Sequence, residues 1–266
     1  MQFLFIYISY VKIYIKARME YKFSFFLGLF ANAFYFFVVY LTFYVIVNEF
    51  AIIDGWTYYE MIFLYALYNL SYAIAGLFFW YTVFHMDNEV TTGNLDSYLL
   101  RPLGIIQQMA CKKFGDTFIG QIVVSLIFFV IAIINLPVLH SFLSVLHICI
   151  TILAGVFFQS GAMIMLGCLS FWMLKSGDLA NIIYFQIPTF IHYPLSIFPE
   201  IVQFGLTYIL PWGLVNYYPA LILLKKAITL HDSILGYSSP LISISLFLLS
   251  LRFFDRGMRH YTGSGT

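Results

Sequence analysis

Between residues 23 and 47 the chain carries no charged side chain, and further long apolar runs occupy 58–84, 118–138 and 145–174. A run of more than twenty such residues matches the hydrocarbon thickness of a bilayer as a helix. Soluble domains keep about 25% of their residues charged, whereas this 266-residue chain keeps 9%, too few to clothe a water-facing surface. In lipid every backbone polar group must be satisfied within the protein, which leaves helices and closed barrels. A barrel needs alternating segments of about ten residues, and these runs neither alternate nor stop there. The sequence therefore predicts an all-α integral membrane protein.

Residues 1–22 read as a helix lying in the membrane interface. Ser9, Lys12, Lys16 and Glu20 share one polar strip, opposite a broad face of Phe3, Ile6, Tyr7, Tyr10, Ile13, Tyr14 and Ala17. The alternative is a first span charged at one end. Apolar residues precede the charges, the reverse of a cleavable signal. Six spans are expected, two within 23–84 (23–47 and 58–84), three within 117–198 (118–138, 145–174 and 179–198) and one at 234–254. Glu49, Asp54 and Gly55 mark the first connection, and His140 and Lys175 lie in later ones. Segment 199–233 contains Pro199, Pro211 and Pro219, with Gly205, Gly213 and Asn216 between them. It is apolar enough for lipid yet too broken for one helix, so short helices that enter the membrane and return are expected. A tail, 255–266, closes the chain.

Basic residues set the orientation. With the N-terminus in the cytoplasm, Lys12, Lys16, Arg18, Lys22, Arg101, Lys112, Lys113, Lys175, Arg252, Arg256 and Arg259 lie inside, and only Lys225 and Lys226 outside. Both termini and the polar 85–116 stretch are then cytoplasmic. In that stretch Asp96 (or Asn94) can cap a short helix after Gly93. Leu95, Leu99, Leu100 and Leu103 supply its apolar side, and Arg101-Pro102 ends it. With no membrane to cross, such a helix must bury that side against another protein.

Recognisable catalytic chemistry is missing from the sequence. Lys175-Ser176 lacks a glycine-rich phosphate loop, and no metalloprotease or serine-hydrolase motif occurs. The six histidines are scattered, mostly near span ends, and Cys111, Cys149 and Cys168 have no metal spacing, the latter two reading as buried packing residues. No metal site and no cofactor bound by this chain are expected, and a net charge of +1 gives no reason to expect nucleic acid. Asn32, Asn69, Gln159, Asn181 and Gln186 sit within spans. Each is either an interhelical hydrogen bond, worth about 0.6–2 kcal/mol, or part of a translocation path. Glu60 and Asp178 lie near span ends, which argues against an ion-coupled secondary transporter. A membrane-embedded lipid-modifying enzyme would have to use His85-Met-Asp-Asn-Glu89, which reads as a solvated helix end.

Three motifs resemble one family. Gly93-Asn-Leu-Asp-Ser-Tyr-Leu-Leu-Arg-Pro-Leu103 resembles the G-x-L-D-x-x-L-L-x-P signature of ABC-2-type permeases, the membrane subunits of ATP-binding-cassette exporters. Tyr193-Pro-Leu-Ser-Ile-Phe-Pro199 with Leu210-Pro-Trp-Gly-Leu-Val-Asn-Tyr-Tyr-Pro-Ala220 is similar to its proline-broken segment, and Arg256-Gly-Met-Arg-His-Tyr-Thr-Gly-Ser-Gly265 to its tail. The resemblance implies a type V exporter-like fold: an N-terminal elbow helix, six spans, a coupling helix between spans 2 and 3, and re-entrant helices between spans 5 and 6. It implies that Glu89, Gly93, Leu95, Asp96, Leu99, Leu100, Arg101 and Pro102 contact a separate cytoplasmic ATPase subunit, which holds ATP and magnesium. It further implies a second permease, identical or homologous, with the broken segment capping the outer end of the path between the two. The setting implied is a bacterial cell membrane and a drug, peptide or lipid as cargo.

Overall fold

The computed structural model describes residues 2–50, 55–112, 114–138, 141–173 and 176–261, with side chains from residue 7 onward except those of 47–50 and 112. Asp54, Lys113, His140, Lys175 and the tail beyond Tyr261 lie outside the described residues, as do the side chains of Phe3, Ile6, Glu49 and Lys112. Among the described residues there is no strand. The helices are α1 (Gln2–Arg18), α2 (Lys22–Phe50), α3 (Tyr58–Thr91), α4 (Leu95–Leu99), α5 (Ile105–Lys112), α6 (Phe118–Asn135), α7 (Phe142–Cys168), α8 (Gly177–Asn181), α9 (Glu200–Phe204), α10 (Tyr217–Leu223) and α11 (Leu230–His260). Five stretches are long and apolar enough to cross a membrane: Tyr7–Ile46, Tyr58–Thr91, Phe118–Asn135, Phe142–Phe171 and Leu230–His260.

The chain bends between α1 and α2. Tyr7 packs on Phe78 at 5.4 Å between ring centroids, and Tyr40 packs on Tyr65 at 4.9 Å. On a straight helix Tyr7 and Tyr40 would stand about 50 Å apart, but Phe78 and Tyr65 are only about 20 Å apart along α3. The bend falls at the 3-10 turn Met19–Tyr21, beyond which α1 crosses the end of the bundle. Arg18 fixes it there through a 3.0 Å ion pair with Asp116.

The centre of the bundle is α3, whose residues 61–73 are all buried. It begins with a capping box, Thr57 and Glu60 bonding each other's backbone N–H groups. Antiparallel α6 meets α3 through Asn69, whose amide donates to Ser125 at 2.8 Å and whose oxygen accepts from Gln121. On the other side α7 runs parallel to α3 at very short range. A Cβ at Gly167 would stand 2.5 Å from the Thr82 carbonyl oxygen, so only glycine admits this approach. Helix α11, opened by a Thr229–Asp232 capping box, packs along α7.

The expected fifth span takes an irregular form. Residues 177–192 run as α8, a π-helical turn Ile182–Gln186 and a 3-10 turn Ile187–His192. They climb antiparallel to α3: Gly177 N–H bonds Asp87, Phe185 packs on Trp80, Tyr184 on Tyr72, and His192 on Tyr65. Pro188 has no N–H, so an unbroken α-ladder cannot pass it. The irregular stretch ends at His192, short of the expected residue 198, and is not among the five stretches long and apolar enough to cross a membrane.

Next comes a hairpin. One arm is α9 and the π turn Gly205–Ile209; Pro211 and the 3-10 turn Trp212–Leu214 form the tip; α10 returns. Trp212 is buried against Phe158 and Tyr184, and Thr207 bonds the Tyr218 hydroxyl across the arms at 2.8 Å. Asn216 donates to the carbonyls of Leu64 (3.2 Å) and Ile191 (2.8 Å), tying the hairpin to α3 and to the irregular pass. At the mouth Lys226 bonds Glu60 and the Gly55 carbonyl, each at 2.7 Å, and lies over Trp56. Pro199 is the N-cap of α9 and Pro219 lies in the first turn of α10, where backbone N–H groups have no intrahelical partner. The segment is thus a series of short helices folded back on itself, not one continuous helix.

Some boundaries differ from expectation. Helix α3 runs to Thr91, two turns past residue 84, and α7 begins at Phe142. Cys168 is buried, but Cys149 faces outward, contrary to its reading as a packing residue.

Candidate functional site

The end of the bundle that carries Arg101 presents a small projecting helix on a rigid mount. Thr92 closes α3, and Gly93 adopts φ +71°, the left-handed conformation that turns the chain out of a helix. Asn94 occupies the N-cap of α4, but its backbone is helical and no side chain caps it, in contrast to the expected Asp96 or Asn94 cap. A helical φ and ψ at that position turn the side chain away from the free amides, which an extended cap would face.

The two faces of α4 have different fates. Leu95 is fully buried and Tyr98 nearly so, packed in an apolar cluster with Tyr81, Met86, Met109, Ile164, Cys168 and Phe254, drawn from α3, α5, α7 and α11. Leu99 and Leu100 instead keep 57% and 87% of their surface exposed. Asp96, Arg101 and Pro102 are exposed beside them, and Leu103 is half-buried. Spacing alone put all the leucines on one side; the structure assigns Leu95 to the mount and Leu99 and Leu100 to the outside.

Helix α5, which hydropathy did not reveal, completes the mount. Gln108 is buried on it and donates from Nε2 to the carbonyls of Tyr98 (2.8 Å) and Leu103 (2.7 Å). The available signal was the pairing of Ile105 with Met109, four residues apart, on a short amphipathic stretch. Between α1 and α4 lies a cleft of about 330 Å³ lined by Tyr10, Asn94, Ser97, Arg101 and Gln108. At the end of α11, burial and the neighbouring Asp96 carboxylate hold the Tyr261 phenol above its ordinary pKa.

Glu89 lies inside, its carboxylate accepting from the Tyr81 hydroxyl at 2.7 Å, so its side chain is not presented to a partner with the rest of the motif. Asp87 accepts from the hydroxyls of Ser170 and Ser176 and from Gly177 N–H, clamping the connection between α7 and α8 onto α3. His85 stacks on Tyr81 with centroids 4.2 Å apart. The 85–89 cluster is therefore a structural knot, which corrects its reading as a solvated helix end. Among the described residues no group of His, Cys, Asp and Glu could hold a metal ion.

The polar residues within the spans do not form one site. Asn69 is buried in its hydrogen-bonded set with Ser125 and Gln121, and Gln159 is buried and accepts from the Tyr184 hydroxyl at 2.7 Å. Asn181 and Gln186 are exposed on the irregular pass, and Asn32 is half-buried on α2. For Asn69 and Gln159 the structure gives the interhelical role; Asn181 and Gln186 face outward, where a neighbouring chain or a path could meet them.

A family model described as "ABC-2 family transporter protein" matches residues 33–265. No curated protein and no solved structure matches the chain.

Proposed function

The chain belongs to the ABC-2 transporter family, and from that premise we propose that it is the permease subunit of an exporter driven by separate ATPase subunits. As an ABC-2 permease it is the multi-pass membrane component of a transporter and not itself the ATPase; such permeases generally partner with ABC ATPase subunits. In our reading ATP and magnesium belong to those partners, and this chain binds no cofactor. The permease sits in a bacterial cell membrane with both termini cytoplasmic. Residues 177–192 count as a pass, the fifth in chain order, which brings the total to six, and a second permease, identical or homologous, completes the path.

One observation carries the reading: two leucines are held exposed, beside an arginine, on a helix whose opposite face is locked into the bundle. Exposed apolar side chains so mounted are what a partner's groove can cover. When the ATPase subunits close on ATP, they push on α4 and on α1. Leu95 and Tyr98 pass the push to α3, and packed helices move as bodies because cores do not deform continuously. At the far end Asn216 and Lys226 join α3 to the hairpin, which caps the path and shifts with it. The aromatic-rich interior suits a hydrophobic or amphipathic cargo.

The test is to produce the chain with the ATPase encoded beside it and compare Leu99→Asp and Arg101→Glu with wild type. Weakened assembly or altered ATP hydrolysis is expected. Unchanged hydrolysis in a fully assembled complex would overturn the assignment.

A further inference from the structure

We infer that Gln108 is a positioning residue for coupling, transmitting movement of α4 into α5 and α3; the inference rests on the proposed contact between α4 and an ATPase. Helix α4 has five residues, too few to hold its own shape. The chain leaves it through Leu100, Arg101 and Pro102; the Arg101 N–H closes a last turn on the Tyr98 carbonyl at 3.2 Å, and Pro102 has no N–H to add. Gln108 adds donors from a neighbouring helix, one side-chain amide reaching both the last turn of α4 at Tyr98 and the loop at Leu103. Because both partners are carbonyl oxygens, the amide must turn its nitrogen towards them, which fixes the side chain's orientation. Its own backbone N–H bonds Gly104 at 3.0 Å, so the loop is held at both ends by one residue.

The consequence is mechanical. Leu95 and Tyr98 anchor the inner face of α4 in the cluster. Two directed hydrogen bonds from α5 set the angle of its last turn. A push on Leu99 and Leu100 then moves α4, α5 and α3 as one body; without Gln108 the helix pivots and the push is lost locally.

Two variants separate this role from packing. Gln108→Met keeps length and burial but removes both donors. Gln108→Glu keeps the shape, donates nothing when ionised and returns one donor when protonated. Each is reconstituted in nanodiscs with the ATPase encoded beside it, trapped with ATP and vanadate, and read by hydrogen–deuterium exchange in 217–224 at the far end. Both variants should bind the ATPase within about threefold of wild type, because the outer face of α4 is unchanged. In Gln108→Met the trapping-induced change in exchange should fall about tenfold, the scale expected for losing hydrogen bonds of this kind. Gln108→Glu should match it near about pH 8 and recover towards about pH 6, because two facing carbonyls favour the protonated acid. Wild type should not vary over that range. A Gln108→Met protein that transmits like wild type, or a Gln108→Glu protein with no recovery, overturns the inference. Should Gln108→Met not fold, the Gln108→Glu comparison decides alone. A wild-type chain that binds no ATPase, or does not respond to trapping, overturns the functional reading on which this rests.

Discussion

Replacing Leu100 with aspartate should weaken partner binding by roughly 100-fold without disturbing the bundle. Fully burying a leucine is worth about 1.5–3 kcal/mol relative to leaving it in water. Leu100 keeps 87% of its surface exposed and can deliver nearly all of that to a partner, while Leu99, at 57%, can deliver about half. Aspartate forfeits the apolar gain and adds a carboxylate that must be stripped of water as the surfaces close. A combined loss of about 3 kcal/mol corresponds to roughly 100-fold weaker binding. The folded chain should barely register the change, since exposed substitutions usually stay within about 0.5 kcal/mol. Leu95, five residues earlier and fully buried, supplies the contrast. Leu95→Ala should cost the chain about 2–5 kcal/mol of its own stability. Binding of nanodisc-embedded permease to its ATPase by interferometry, paired with thermal unfolding in detergent, reads both quantities. If Leu100→Asp left affinity within threefold, or destabilised the chain as much as Leu95→Ala, the division of α4 into an outer face and a mounted face would be wrong.

Three further outcomes follow from particular contacts. Gly93→Ala should destabilise the α3–α4 junction by about 1–2 kcal/mol, because alanine pays the left-handed penalty that glycine avoids, and Gly93→Asn should lose less; thermal unfolding of the two side by side checks the order. Asn216→Leu removes two interhelical hydrogen bonds, each worth about 0.6–1.7 kcal/mol, so hydrogen exchange in 200–223 should rise several-fold while that in 61–73 stays slow; equal change in both would contradict the hairpin's separate tether. Gly167→Val places a side chain against the Thr82 carbonyl and should cost about 1–3 kcal/mol by forcing α3 and α7 apart; an unchanged melting temperature would mean the two helices are not so closely packed.

Hydropathy made the long spans legible because their lipid-facing sides are apolar, and the prolines at 199, 211 and 219 marked a break in regular helix because each removes a backbone donor. What it missed was polar sequence that folds inward. The last two turns of α3 hold His85, Asp87 and Glu89, which read as a water-exposed end until tertiary packing brings Ser170 and Ser176 to Asp87 and buries Glu89, which Tyr81 of the same helix reaches. Helix α5 is too short and too mixed to register as apolar, although its 3.6-residue pattern was present. Asn69 and Asn181 look alike in sequence; only the position of α6 decides that one is buried and the other exposed. The motif around α4 marked a short helix in the chain but could not divide its leucines, since both faces of that helix carry apolar side chains.

The most direct test of ATPase docking through α4 is photo-crosslinking in the membrane. A benzophenone amino acid placed at Leu99 should, on illumination of cells that carry the neighbouring ATPase, yield one prominent adduct between the two proteins, while the same group at Ile228, exposed at the opposite end, should yield none. An adduct from Ile228 and none from Leu99 would contradict the proposal.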